Sequence, residues 1–159
     1  MEICLHCADI SNPYKPFKIC SQWAELIVEE LARQGEREES EGLEISPMMD
    51  RKTIQLCNMQ MGFIEFVVAP LIIGFVQTFP SLYVIGENMA DNYCCWGDKR
   101  KLEIKIDDKI NNKAEEIEKL ENRMNNFKGR LAFTNDLRSK NHRGDSTLDA
   151  TALLATRSK

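Results

Sequence analysis

Met59-Gln60-Met61-Gly62-Phe63-Ile64-Glu65-Phe66-Val67-Val68-Ala69-Pro70-Leu71-Ile72-Ile73-Gly74-Phe75-Val76 sets Met59, Phe63, Phe66 and Val67 at the i, i+4, i+7, i+8 spacing of one helical face. These four side chains are expected to point inward. Pro70 has no backbone N–H to donate and is expected to kink or restart the helix. The most apolar part runs eleven residues, from Phe66 to Val76, directly after Glu65. Crossing a bilayer takes about 20 apolar residues. The stretch therefore reads as a core helix, and no transmembrane segment is expected.

The same period extends outward in both directions. Upstream, Trp23, Leu26, Ile27, Glu30 and Leu31 share a face of a helix beginning after Pro16, with Gly35 and Gly42 marking its fraying end and the loop beyond. Asp50 is positioned to cap the next helix. Downstream, Phe79-Pro80-Ser81 breaks the chain, and two short helices are expected to flank Gly86 and Gly97. No stretch sustains the alternation of a half-buried strand, so the fold class is all-α.

Composition divides the 159 residues into three parts. Residues 1–104 contain all six cysteines, both tryptophans and all five prolines, as a packed domain would. Residues 105–128 form a charged amphipathic helix whose apolar positions Ile110, Ile117 and Met124 recur every seven residues, with Leu120 and Phe127 between them. That stripe suits a solvated, marginal helix extending from the domain, a helix docked on its own domain, or a short coiled coil giving weak homodimerisation over 106–127. The first of these is the expectation. Residues 129–159 lose periodicity, become rich in polar residues and are expected to be a disordered tail.

The net charge of −4 and pI near 5.3 supply no basic face for nucleic acid. No secretory signal precedes the cysteines, which read as reduced thiols of an intracellular, cytoplasmic protein. Cys4 and Cys7 form a C-x-x-C pair, but no second pair follows at zinc-finger spacing.

The local chemistry is concentrated in His6-Cys7-Ala8-Asp9-Ile10-Ser11-Asn12-Pro13, an imidazole and a carboxylate at the end of an apolar segment against an Asn-Pro turn. Taken alone, such a carboxylate is a helix-end group more often than a metal ligand. Extended to Tyr14-Lys15-Pro16, however, the stretch resembles the H-x-A-D-I/L-S-N-P-x-K-P segment of class I cyclic nucleotide phosphodiesterases. Four further matches follow in order: Glu29-Glu30 after Trp23; Gln34-Gly35-Glu36-Arg37-Glu38; Gly42 to Arg51; and Gln60-Met61-Gly62-Phe63-Ile64-Glu65-Phe66-Val67-Val68. Over Glu44 to Asp50 the likeness is to the cAMP-specific branch.

The resemblance implies the C-terminal part of a multi-helix catalytic domain that hydrolyses a 3′,5′-cyclic nucleotide, cAMP ahead of cGMP, to the 5′-monophosphate. Asp9 would ligate a tightly bound zinc and touch a second ion, magnesium or manganese. Gln60 would grip the purine edge with its donor–acceptor amide, Phe63 would stack on the base, and Ile27 would close the slot. Asn12 would lie near the purine edge and Met48 near the pocket mouth. His6 would be a hydrogen-bonded structural histidine.

Departures from the pattern fall at Cys20, where relatives often carry a group that orients the glutamine, and at Ala24, Met59 and Glu65. The remaining histidine and aspartate ligands and the histidine general acid lie upstream in the family, and only His6 and His142 occur here. One ligand of four cannot close a zinc site. The chain is therefore expected to be a fragment, a truncated gene model or an exon-limited product of a full enzyme, inactive by itself. The alternative is a catalytically inactive helical module that binds a protein partner.

Overall fold

The computed structural model describes residues 2–139. Among the described residues six complete helices carry the fold: α1 Glu2–Asp9, α2 Phe17–Ser40, α3 Leu56–Phe63, α4 Ala69–Thr78, α5 Tyr83–Ile106 and α6 Lys113–Arg130, and residues 133–139 are helical as well. A π-helical turn, Ile64–Val68, joins α3 to α4, and short 3-10 turns cover Asn12–Tyr14 and Pro80–Leu82. No strand occurs among the described residues, so the all-α reading holds.

The core is a seam between the α3–α4 rod and α5. Met61, Ile64, Val68, Ala69, Ile72 and Val76 from the rod and Met89, Tyr93 and Trp96 from α5 are fully buried. The rod spans Leu56–Thr78 and is long and apolar enough to cross a membrane by length and composition, but its buried stripe is satisfied by α5 within the chain, the behaviour of a core helix. The face expected to point inward is not the one that does. Phe66 and Val67 are 71% and 49% exposed, and Met59 and Phe63 are half-buried beside them. At the π turn the Ala69 N–H reaches back five residues to Ile64 O, an extra residue inserted just before Pro70, which lacks an N–H.

The α2 face is likewise reversed. Trp23 and Leu26 are 50% and 63% exposed, whereas Cys20, Ala24, Ala32 and Gly35 are buried. Small residues let backbones approach, and a search for large apolar side chains passes over such a seam. Gly35 lies inside the helix, not at a fraying end. A Cβ built there would sit 2.1 Å from Met49 O. Gly35→Ala must push the 46–50 loop off α2, and we expect a loss of about 1–3 kcal/mol from overpacking against backbone, read as a lower urea midpoint at unchanged slope. An unchanged midpoint would show that the loop does not rest on α2. The helix ends five residues later in a Schellman turn: Gly42 takes φ +73, Leu43 N–H donates to Glu38 O at 2.9 Å and Gly42 N–H to Glu39 O at 3.1 Å. Asp50 caps no helix. Its carboxylate accepts from Lys52 N–H at 2.9 Å inside a turn, and α3 begins at Leu56.

Instead of two short helices, α5 runs unbroken through Gly86 and Gly97. These glycines are points of close approach: a Cβ on Gly97 would lie 2.4 Å from Met124 Sδ, and one on Gly86 would lie 3.0 Å from Thr134 Cγ2. The same helix passes through the 104/105 division without interruption, and the charged helix begins at Lys113. It is not the solvated extension expected. Leu120, Met124, Phe127 and Leu131 are buried, and Phe127 stacks on Tyr93 of α5 with ring centroids 3.9 Å apart. The stripe a zipper would use is thus occupied within the chain. Residues 131–139, placed in the expected disordered tail, are ordered. Thr134 is buried and its hydroxyl donates to Leu131 O at 2.8 Å. Residues 140–159 of that tail lie outside the described residues.

Candidate functional site

A cavity of about 510 Å³ opens between α2, α3 and the loop joining them, within the size range of small-ligand sites. Two polar clamps hold the loop. The Glu38 carboxylate accepts from Gln34 Nε2 at 3.0 Å, from Ser46 N–H at 2.7 Å and from Ser46 Oγ at 3.0 Å, and these donors, Gln34 foremost, hold its carboxyl below the usual range. Arg51 donates to Glu29 at 2.7 Å and also to Glu36. Bonds from Arg51 and then Arg33 lower the Glu29 carboxyl to about 2. Between the clamps, Met48 adopts φ 66, a conformation that costs a non-glycine residue energy and persists when its surroundings impose it.

Four of the six expected site residues converge on this cavity: Ile27 from α2, Met48 from the loop, and Gln60 and Phe63 from α3. Apart from Asn58 its walls are otherwise apolar, with Leu31 and Phe66 contributing. Gln60 is 3% exposed, and its Oε1 has no hydrogen-bond partner. An unpaired buried carbonyl is costly, about 1–3 kcal/mol, and such orphans in folded chains call for a reason. Cys20, where relatives often orient the glutamine, is fully buried, and burial raises its thiol. The Gln60 carboxamide oxygen thus has no hydrogen-bond partner among the described residues, Cys20 included. An apolar slot with one buried amide suits a flat heteroaromatic ring whose edge offers complementary hydrogen-bonding groups.

Asp9 and Asn12 do not line this cavity. Asp9 is the last residue of α1 and is exposed, as is His6 one turn earlier. Among the described residues His6 makes no side-chain hydrogen bond, contrary to expectation. Asn12 lies in the following 3-10 turn with Oδ1 buried and unpartnered. That turn is fixed from α5, where Asn92 Nδ2 donates to Pro13 O and Lys15 O at 2.7 Å and Asn88 Nδ2 donates to Tyr14 O at 3.2 Å. No group of three or more His, Cys, Asp or Glu that could hold a metal occurs among the described residues. Asp9 is one hard oxygen donor, and these residues do not by themselves build a metal centre.

Sequence reasoning missed the roles of Phe66 and Leu31 as cavity walls; their helical spacing with Phe63 and Ile27 was the available signal. It also missed a polar node beside the cavity. Glu65 Oε2 accepts from Tyr93 OH at 2.8 Å and from Arg123 Nε at 2.7 Å. Burial first, then the Glu65 carboxylate, pushes the Tyr93 phenol up.

Comparison with known proteins gives this geometry a context. Residues 1–89 match the family profile of 3′5′-cyclic nucleotide phosphodiesterase. A 3′,5′-cyclic-AMP phosphodiesterase 4C of Mus musculus is 48% identical over 67 residues, covering 42% of this chain and 10% of the relative. A probable 3′,5′-cyclic-AMP phosphodiesterase pde-4 of Caenorhabditis elegans is 46% identical over 88 residues, covering 55% and 12%. Among solved structures, that of LmjPDEB1 in complex with IBMX superposes with a TM-score of 0.58 at 33% identity, over 61% of this chain and 30% of that one. The chain thus spans about a tenth of the length of these curated relatives. With more than half of its residues inside the family profile and a helical fold shared with a solved relative, the chain belongs to the 3′5′-cyclic nucleotide phosphodiesterase family.

Proposed function

We propose that this chain supplies the purine-recognition wall and one metal-ligating carboxylate of an enzyme that hydrolyses 3′,5′-cyclic AMP, with cyclic GMP the second choice, to the 5′-monophosphate. The observation that carries this reading is the orphaned Oε1 of Gln60, 3% exposed, in an apolar cavity of about 510 Å³. The relatives are cAMP phosphodiesterases by name, and the cavity contains the glutamine and phenylalanine expected to bind the base. Gln60 pairs with the purine edge, Phe63 and Ile27 cover its faces, and Met48 borders the mouth. Asn12, which does not line the cavity, is assigned to the region of the purine edge by the family resemblance alone.

Metal dependence is general to the family. We assign Asp9 to a zinc and to a second ion, magnesium or manganese, whose other ligands come from elsewhere in the catalytic domain. Because no group of three or more His, Cys, Asp or Glu that could hold a metal occurs among the described residues, the chemistry assigned to this chain stops at base recognition and one carboxylate. The six free cysteines support a reducing, intracellular site of action, in our reading the cytoplasm. An inactive partner-binding module is the second reading, favoured by the exposure of Leu5, Trp23 and Leu26 (73%, 50% and 63%) on α1 and α2.

Hydrolysis assays separate the two readings. The chain alone should turn over no cAMP above a metal-only blank. Joined to the preceding helices of a cAMP phosphodiesterase catalytic domain, it should hydrolyse cAMP, and Asp9→Ala should lower bound zinc and turnover together, since loss of an anionic ligand weakens the site. Full metal occupancy and normal turnover in Asp9→Ala would remove Asp9 from the ligand set. Failure of the joined protein to act on cAMP, with a folded domain, would favour the module.

A further inference from the structure

We infer that Arg123, on a helix beyond the residues that match the family, is a positioning residue for the purine pocket, acting through Phe66. The family match ends at residue 89 and α6 begins at Lys113, yet α6 returns to the cavity. Arg123 Nε donates to Glu65 Oε2 at 2.7 Å, and its guanidinium carbon lies 5.9 Å from the centroid of the Phe66 ring, at the outer limit of cation–π attraction. Phe66 lines the cavity.

Three features make this contact more than incidental packing. First, Phe66 is 71% exposed, so its ring has little protein against it, and the guanidinium supplies a partner on that side. Second, Glu65 and Phe66 are adjacent residues of the π-helical turn Ile64–Val68. A π turn spends one extra residue to aim side chains off the regular helical stripe and is a frequent feature of functional sites. Third, the Arg123–Glu65 pair is anchored. Its side chains are 35% and 17% exposed, the only described ion pair with both partners so covered, and Tyr93 OH gives the same carboxylate oxygen a second donor at 2.8 Å. The anchor fixes where the guanidinium plane sits, and that plane fixes where the Phe66 ring can stand at the rim of the base-binding slot. A planar, delocalised cation does this where an ammonium does not.

This inference rests on the purine pocket proposed above. It predicts that Arg123 governs affinity for the base even though the residue lies outside the slot. The test uses the whole chain and cAMP itself as the probe, with affinity measured by calorimetric or fluorescence titration. Arg123→Ala should weaken cAMP binding about three- to tenfold, and so should Phe66→Leu. Because Arg123 acts through Phe66, the double variant should be no weaker than the worse single one. Arg123→Lys keeps the charge facing Glu65 and should restore the unfolding midpoint while restoring affinity only in part. This split covers the case in which Arg123→Ala folds poorly, because a residue serving stability alone would recover both properties together. Additive losses in the double variant, or wild-type affinity in Arg123→Ala or Arg123→Lys, would overturn the inference and leave the pocket reading intact. A wild-type chain that binds no cAMP would overturn both.

Discussion

Gln60→Leu is expected to stabilise the free chain and, in the same protein, to weaken its affinity for cAMP. The two effects have one cause. Gln60 buries a carboxamide oxygen that finds no donor, and an unsatisfied buried acceptor costs about 1–3 kcal/mol. Leucine has similar bulk and no polar atom, so in a largely apolar cavity wall that includes Ile27, Leu31, Met48 and Phe63 it should raise the urea midpoint by an amount equivalent to about 1 kcal/mol or more. Binding moves the other way. Paired hydrogen bonds to a purine edge in a desolvated slot are worth about 1–3 kcal/mol, or roughly 5- to 150-fold in affinity. Urea unfolding and ligand titration on the same sample read both. A less stable Gln60→Leu protein with normal affinity would make Gln60 a structural residue whose oxygen is satisfied in solution.

Phe127→Ala should be the most destabilising single change in α6, costing about 3–5 kcal/mol. Phe127 is 1% exposed and stacks on Tyr93 at 3.9 Å between centroids, with an interplanar angle of 21°. Its removal opens a cavity in the contact between α5 and α6 and takes away the ring stacked on Tyr93, the residue that hydrogen-bonds Glu65. Small domains are stable by only about 5–15 kcal/mol, so a loss of this size takes a large share. Equilibrium unfolding monitored by near-UV and far-UV circular dichroism gives the number. A change of a few tenths of a kcal/mol would restore the solvated helix that the charge pattern of residues 105–128 suggests.

The helical fold and four pocket residues were legible in the sequence, but which helical faces are buried was not. Periodicity identified α2 and the α3–α4 rod, because a 3.6-residue period shows whether or not the apolar face is covered. Ranking faces by the size of their side chains then chose Trp23, Leu26, Phe66 and Val67 as core, whereas the buried seam of α2 is made of Cys20, Ala24, Ala32 and Gly35. Close backbone approach needs small residues, and a pattern search scores them as neutral. The same blindness turned Gly86 and Gly97 into expected breaks. In the fold they are the places where Thr134 and Met124 meet α5, a fact set by residues far away in sequence. Gln60 carries no signal alone, and its assignment came from the motif around it; the structure adds the orphaned oxygen and the cavity. The Glu65–Arg123 pair joins residues 58 apart, and nothing local announces it.

Gln60 is the residue through which the proposed pocket meets the base. A titration of the isotopically labelled chain with cAMP, following the side-chain amide of Gln60 by nuclear magnetic resonance, tests it most directly. A saturable shift of that amide is expected, accompanied by shifts at Phe63, Ile27 and Met48, and no such response in Gln60→Leu. A Gln60 amide that stays still while cAMP saturates the chain elsewhere, or no saturation at all, would contradict it.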